Sequence, residues 1–227
     1  MQGRNTKLIL SLDVIKKKDF LYWVSLTQDF ISYYKIGIIP FVSLGPQSIK
    51  ILKKKDKKVF LDLKFFDIPN TMFKSSIQAI KWGVDILDFH LLHNENNLKE
   101  CIKMIREYAS TKKISLPVFL GVTVLTSIKP TLKILASVLK LSKKACNIGL
   151  DGVVCSGRES LFVRKEIGEN FIIVSPGIRL DSANDDQKRV CLPHDVKGIV
   201  DFIIVGRPIL NSKEPLVVIK KILKQLR

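Results

Sequence analysis

The feature that most constrains the fold is an alternation of short apolar runs with longer stretches of helical pattern along the whole chain. Such alternation is typical of βαβ units, in which helices join parallel strands. Eight runs are predicted as strands: residues 8–13, 32–36, 59–64, 86–90, 118–123, 152–155, 171–174 and 202–205. Eight strands, each followed by a helix or helix-like segment, predict an α/β protein with a closed (β/α)8 TIM barrel, as a single domain over residues 1–227.

Helices are predicted in the stretches between these strands: residues 18–30, 46–54, 71–81, 97–108, 132–147, 158–166 and 214–226. An open doubly wound sheet is the alternative architecture, and it usually carries a glycine-rich turn after its first strand. Here the first strand is followed by Asp13-Val14-Ile15-Lys16, which contains no glycine. This turn favours the closed barrel.

The charge balance narrows the classes of partner. The chain has a formal net charge of +17 and a pI of about 9.8, which would attract RNA, anionic lipid or a phosphorylated small molecule. Most of the excess is lysine in helix-like stretches, such as residues 16–18 and 53–55, and no aromatic-interleaved RNA-binding motif accompanies it. We interpret the surplus as solvated surface and expect no specific nucleic-acid partner.

Cysteine spacing and hydropathy bear on the cellular compartment. No apolar run is long enough to span a bilayer, and residues 1–7 are too short and polar for a secretory signal. The cysteines, at positions 101, 146, 155 and 191, are widely separated and form no CxxC pair, which argues against a zinc site or a disulfide framework. We therefore expect a cytoplasmic protein with reduced thiols and no membrane partner.

The charged residues that most strongly suggest catalysis lie in residues 62–71, which follow the apolar run 59–61. Asp62 and Lys64 are two residues apart, so they share one face of the predicted strand. An Asp and a Lys that point together into a sheet interior are costly unless something uses them. Asp67 follows where the strand gives way to Pro69. The pattern predicts a catalytic constellation at the strand's carboxyl end, with a surface ion pair on an edge strand as the alternative.

Polar and charged groups also end the other predicted strands, and in a barrel these ends converge on one site. They are Asp13, Lys35, Thr126, Arg179, Gly206 and Arg207. The segment 177–190 is polar and rich in turn formers, which predicts a mobile lid, with a disordered surface loop as the alternative. The guanidinium of Arg207 suits a phosphate, and Gln187 could reach the same group from the lid.

His90 and His93 could suggest a metal-binding pair. Their three-residue spacing would place the two rings on opposite faces of a strand, and no acidic partner stands at a clear ligand spacing. We therefore predict a structural role for this pair and no metal site.

Taken together, these segments resemble the orotidine 5′-phosphate decarboxylases, the family that catalyses the last step of de novo UMP synthesis. The resemblance covers nearly the whole chain, through residues 10–13, 34–37, 61–71, 121–127, 151–156, 175–179, 186–190 and 205–209. The block 61–71, LDLKFFDIPNT, is its most specific part. The chain departs from the family pattern in three places. Phe66 stands for a usual His, residues 91–94 (LLHN) replace a small glycine-containing turn, and Ser175 stands for a usual Thr.

The resemblance implies that a homodimeric barrel, with its sites at the subunit interface, decarboxylates orotidine 5′-monophosphate to UMP without a cofactor. It implies that Asp13 holds the ribose, that Lys35 and Asp62 join a charged array, and that Lys64 donates the proton. It also implies that Asp67, Ile68 and Thr71 reach into the partner's site and that Thr126 contacts the pyrimidine. The phosphate would be surrounded by Arg179, Gln187, Gly206 and Arg207.

Two alternatives stay open at this point. One is a sister enzyme with the same Asp-x-Lys-x-x-Asp spacing, a Mg²⁺-dependent sugar-phosphate decarboxylase or aldolase. Such enzymes hold the metal with a carboxylate at the end of strand 2, where this chain has Lys35, whose charge would repel it. The other is a basic RNA-binding protein built on a catalytically retired barrel.

Overall fold

The computed structural model describes residues 4–180 and 189–226. Eight parallel strands pair in sequence order, and β8 pairs with β1 to close the barrel. The strands are β1 Lys7–Ser11, β2 Tyr33–Gly37, β3 Lys58–Phe65, β4 Ile86–His90, β5 Val118–Val122, β6 Gly152–Val154, β7 Ile172–Ser175 and β8 Phe202–Val205. The predicted (β/α)8 fold is therefore confirmed.

The described helices are α1 Lys17–Thr27, α2 Ile38–Leu44, α3 Gln47–Lys53, α4 Pro69–Lys81, α5 Glu95–Lys112, α6 Leu132–Ile148, α7 Gly157–Ile167, α8 Pro193–Val196, α9 Arg207–Leu210 and α10 Pro215–Leu226. Local chemistry sets several of their ends. Pro69 opens α4, where its missing N–H costs nothing. The Thr131 side chain accepts from the Ile134 amide at the start of α6, and Gly149 ends that helix at a φ of 85°. Among the described residues, no helix is long and apolar enough to cross a membrane.

Two apolar clusters hold the barrel together. The inner cluster fills the barrel with one side chain from each of six strands: Ile9, Phe60, Ile86, Leu120, Val174 and Ile204. The larger outer cluster packs the opposite faces of the strands against the helices. Because side chains alternate along a strand, the residues two positions after the inner cluster point toward the carboxyl end of the barrel interior. Lys35, Asp62 and Asp88 lie at this upper level.

Strand β3 contains an irregularity next to the charged residues. Leu61 pairs with Leu87 and Phe65 pairs with Phe89, so three residues of β3 stand opposite the single residue Asp88 of β4. Lys64 lies inside this bulge with a φ of 51°. A positive φ is uncommon for a residue with a side chain, and such conformations cluster at functional sites. The bulge turns the Lys64 side chain toward the mouth of the barrel, where it contacts Asp62.

The turn after β4, which departs from the family pattern, packs closely against a glycine of the next strand. Leu91 is fully buried, whereas Leu92 is exposed. A Cβ atom added to Gly121 of β5 would lie 2.7 Å from Leu91 Cδ1. The absence of a side chain at position 121 therefore makes room for Leu91.

Gly121→Ala should lower the free energy of unfolding by about 1–3 kcal/mol, because the added methyl group overpacks Leu91. In a Leu91→Ala background the same change should cost less, with a coupling free energy of about 0.5–3 kcal/mol in a double-mutant cycle from urea unfolding. Leu92→Ala is the matched control and should leave the cost of Gly121→Ala unchanged. If Gly121→Ala lowered the free energy of unfolding equally in the wild type, Leu91→Ala and Leu92→Ala, the close contact between Gly121 and Leu91 would be contradicted.

Candidate active site

A pocket of about 340 Å³ opens at the carboxyl ends of the strands. This size suits a small-molecule ligand, and the position is the one at which (β/α)8 enzymes place their active sites. Eight of the predicted site residues line it: Asp13, Lys35, Asp62, Lys64, Thr126, Arg179, Gly206 and Arg207. The prediction that the strand ends converge on one place is therefore confirmed, whereas the role of each residue stays a prediction.

Asp62 is the centre of the charged part of the pocket. Its Oδ2 lies 3.1 Å from Lys35 Nζ, and its Oδ1 accepts a hydrogen bond from Lys64 Nζ. Lys35 Nζ also lies 3.6 Å from Asp13 Oδ1, and Ser11 Oγ donates to Asp13 Oδ2 at 2.8 Å. The side chains of Lys35 and Asp62 are each only 12% exposed, so their charges interact with little screening by water.

The electrostatics of the pocket favour two lysines held by carboxylates. Burial alone would lower the pKa of Lys35, but the charges of Asp62 and Asp13 outweigh it, and the pKa is raised. Burial likewise opposes the charged form of Asp62, but Lys35 and Lys64 outweigh it and lower the pKa of Asp62. Burial lowers the pKa of His90, and the nearby charge of Lys64 adds to this shift.

Glycine leaves room around these charged groups. A Cβ atom at Gly37 would lie 2.9 Å from Lys35 Nζ, and one at Gly206 would lie 3.2 Å from Ser11 Cβ. Gly206 follows β8, and exposed Arg207 comes next in the pocket wall. Buried Arg179 lies after β7, and its amide donates to the Cys191 carbonyl at 3.0 Å. This bond joins the start of the segment predicted as a lid to Cys191, the residue that follows its end.

Asp67, Ile68 and Thr71 do not line the pocket of their own chain. All three are exposed on the loop after β3 and at the start of α4. The predicted Gln187 contact lies outside the described residues, as does most of the lid 177–190.

Comparison with known proteins identifies the family. The model of the orotidine 5′-phosphate decarboxylase / HUMPS family matches residues 6–222. The chain belongs to this family. It is 33% identical to an orotidine 5′-phosphate decarboxylase of Citrifermentans bemidjiense, over 97% of this chain and 95% of that protein. It is 36% identical to one of Wolbachia pipientis, over 96% of this chain and 98% of that protein.

A solved structure agrees with this assignment. The crystal structure of orotidine 5′-phosphate decarboxylase from Lactobacillus acidophilus superposes with a TM-score of 0.79 at 29% identity, over 98% of this chain and 99% of that one. The whole barrel is therefore shared with that enzyme.

The two departures near the pocket mouth are connected through His93. Its Nε2 lies 2.7 Å from the Asp67 carbonyl oxygen, and its ring packs edge-on against Phe66 with centroids 4.8 Å apart. Lys144 Nζ donates to the carbonyl oxygens of Leu91 and His93. These contacts hold the loop that carries Asp67, which agrees with the structural role predicted for His93. The predicted placement of the two rings on opposite faces of a strand is wrong: β4 ends at His90, and both His90 and His93 pack edge-on against Phe66. Within residues 4–180 and 189–226, no three His, Cys, Asp or Glu side chains are grouped to hold a metal ion.

Sequence reasoning missed Arg189, the first described residue after the gap. Its guanidinium is fully buried: Nη1 lies 2.9 Å from Glu159 Oε1, and Nη2 donates to the carbonyl oxygens of Val124 and Leu125 at 2.6 and 2.8 Å. Arg189 thus ties the end of the predicted lid to the loop that carries Thr126. Nothing in the sequence distinguishes this arginine from an exposed one.

Asp88 was also missed, although a sequence signal existed. It lies two residues after inward-facing Ile86, so alternation places it inside the barrel beside Asp62. Asp88 is fully buried, and its Oδ1 accepts from the Lys64 amide at 2.8 Å. Burial raises the pKa of this carboxyl well above its ordinary value, and the charge of Asp62 adds to the shift.

Asp62→Asn should lower the pKa of Lys35, because it removes the carboxylate that most strongly opposes the effect of burial on the ammonium, and Asp13 is more distant. An NMR titration of protein carrying ¹³C at lysine Cε measures this directly. Asp85→Asn is the control, since Asp85 pairs with Lys53 and Lys58 instead, and it should leave the titration of Lys35 unchanged. An unaltered pKa of Lys35 in Asp62→Asn would contradict the proposed balance of charges.

Proposed function

We propose that this chain decarboxylates orotidine 5′-monophosphate to UMP, the last step of pyrimidine nucleotide synthesis, without a cofactor. The observation that carries the proposal is the Lys35–Asp62–Lys64 array, which lies in the pocket of a barrel that belongs to the decarboxylase family. The relatives of similar length are named for this reaction.

The chemistry requires stabilisation of a carbanion. Loss of carbon dioxide from C6 of the pyrimidine leaves an electron pair with little resonance stabilisation. A fixed ammonium group beside C6 can stabilise this charge as it develops and then deliver a proton to the same carbon. We assign this role to Lys64, which Asp62 holds through a hydrogen bond. Asp62 would also crowd the departing carboxylate, a contribution we rank below carbanion stabilisation.

Binding groups remote from C6 would position the substrate. Asp13 at the end of β1 would hold the ribose, and Thr126 in the β5–α6 loop would contact the pyrimidine. Arg179, Gly206 and Arg207 would surround the phosphate, with Gln187 reaching it from the lid 177–190. Binding energy at the phosphate could then close the lid, exclude water and fix the ring against Lys64.

The homodimer is part of this proposal. Asp67, Ile68 and Thr71 are exposed beside their own pocket and would complete the site of a second copy. The segments that follow β2, β3 and β4 expose large apolar side chains at the same end of the barrel, such as Ile38, Phe66 and Leu92. Exposed apolar surface of this kind is typical of a protein–protein interface.

The alternatives are less well supported. A Mg²⁺-dependent sister enzyme would need a carboxylate at the end of β2, where this pocket has the ammonium of Lys35. An RNA-binding protein on a retired barrel is disfavoured because the charged array is intact. A cytoplasmic location, expected from the sequence, stays a proposal, and all four cysteines are unpaired.

The purified chain should decarboxylate orotidine 5′-monophosphate with undiminished activity in excess chelator. Lys64→Ala should lower kcat by roughly 10²–10⁴-fold or more, because it removes the proton donor. Lys58→Ala is the matched control, since Lys58 stands at the opposite end of the same strand and pairs with Asp85. Activity abolished by chelator would favour the Mg²⁺-dependent alternative, and absence of activity in the wild-type chain would contradict the proposal.

Subunit mixing tests the shared site. Lys64→Ala and Asp67→Asn dimers should each be nearly inactive, because each site lacks one charged group. After dissociation and reassociation, a heterodimer contains one site with both groups, so random mixing should restore about a quarter of wild-type activity. Lys64→Ala mixed with Lys35→Ala is the control and should restore none, since both groups belong to the same chain's half of the site. No recovery despite demonstrated subunit exchange would rule out the shared site.

A further inference from the structure

The buried carboxyl group of Asp88 has no part in the function proposed above. Asp88 lies on the inward face of β4, between Ile86 below it and His90 above it. Its side chain is fully buried at the level of Asp62. A carboxyl group buried inside a barrel is costly unless its oxygen atoms are hydrogen-bonded.

One oxygen of Asp88 supports the bulge of β3. The bulge removes the Lys64 amide from regular pairing with β4, and Asp88 Oδ1 accepts its hydrogen bond at 2.8 Å instead. Lys64 has a φ of 51°, a strained conformation for a residue with a side chain. The Asp88 carboxyl is therefore part of what holds the backbone of Lys64 in the conformation that directs its ammonium into the pocket.

The other oxygen of Asp88 lacks a donor, and a second carboxyl group is close by. Asp88 Oδ2 has no hydrogen-bond donor among the described residues, and the carboxyl group of Asp62 lies within hydrogen-bonding reach of Asp88. Two charged carboxylates would repel each other at this distance, whereas one proton between them provides the missing hydrogen bond. Asp62 has Lys35 and Lys64 as direct partners of opposite charge, so the proton belongs on Asp88.

We propose that Asp88 is a positioning residue that stays protonated at neutral pH, donating a hydrogen bond to Asp62 and accepting one from the Lys64 amide. The neutral acid fixes both Asp62 and Lys64 without adding a negative charge that would compete for the two lysines. The charged groups facing it are Asp62 and Lys64 from β3 and Lys35 from β2. The protonation of Asp88 is independent of the reaction, whereas its positioning role rests on the function proposed for Lys64.

Protein stability tests the protonation without any assay of activity. The raised pKa of Asp88 means that the folded chain keeps a proton that the unfolded chain releases above its ordinary value of 3.8. The ratio of the unfolding constant of the wild type to that of Asp88→Asn should therefore rise about tenfold per pH unit between about pH 5 and pH 7. This rise equals a loss of about 1.36 kcal/mol per pH unit in the wild type's free energy of unfolding relative to the variant. Urea unfolding at one fixed protein concentration measures both chains.

Asp85→Asn is the matched control, since Asp85 immediately precedes the same strand. Lysines lower the pKa of Asp85, so its contribution to stability is lost only in more acidic solution. The ratio of the unfolding constants of the wild type and Asp85→Asn should therefore stay constant between about pH 5 and pH 7.

Infrared difference spectra of the wild type and Asp88→Asn give a second readout. The carbonyl stretch of a protonated carboxylic acid should be present at neutral pH in the wild type and missing in the variant. The proposal would be overturned if the ratio of unfolding constants of the wild type and Asp88→Asn did not change with pH and the wild type showed no such infrared band.

Kinetics then test the positioning role. Asp88→Ala should lower kcat more than it raises KM, because it frees Lys64 and Asp62 but leaves the phosphate contacts in place. Asp88→Asn should recover most of that loss, since the amide keeps one donor and one acceptor in the same shape. Equal losses of kcat in the two variants would contradict positioning by a neutral acid. If the wild type lacked decarboxylase activity, the proposed function would fail while the stability and infrared results still decided the protonation.

Discussion

The interaction on which the site depends is the placement of Asp62 between two ammonium groups. One carboxylate contacts Lys35 and Lys64 inside a barrel whose interior below that level is apolar. Buried charges are tolerated only when they are paired and hydrogen-bonded, so removal of any member leaves an uncompensated charge. Three other features depend on this array. Gly37 leaves room for the ammonium of Lys35, and the bulge of β3 brings Lys64 to Asp62. The buried Asp88 holds the backbone of Lys64 in the bulge.

The bulge turns a regular strand into a support for the charged array. In an unbroken strand, Asp62 and Lys64 would follow each other along one face, with Lys64 paired to β4 through its backbone. Two extra residues in β3 free that amide, place Lys64 at a positive φ, and bring its side chain back to Asp62. Bulges of this kind are common next to active sites because they redirect a side chain without disturbing the rest of the sheet. The cost in backbone strain is offset by the bond to Asp88.

Much of this arrangement could be predicted from the sequence, for physical reasons. Alternation of apolar runs with helical stretches identified all eight strands, with the bounds of β4 and β8 correct, because barrel strands are short and buried on both faces. Strand ends converge in a barrel, so polar residues there predicted the pocket. Helix α2 was missed because Ile38–Leu44 contains Pro40 and follows β2 directly. The links through His93 and Arg189 were missed because each joins segments far apart in sequence and depends on loop conformations that carry no periodic signal.

The central claim is that the ammonium of Lys64, clamped by Asp62, faces the carbon that loses carbon dioxide. A crystal structure of the chain with UMP in the pocket tests it most directly. The account predicts that Lys64 Nζ faces C6 of the base, that Asp62 contacts both lysines, and that Asp67 of a second copy completes the array. A nucleotide bound in the pocket with Lys64 turned away from the base would contradict it.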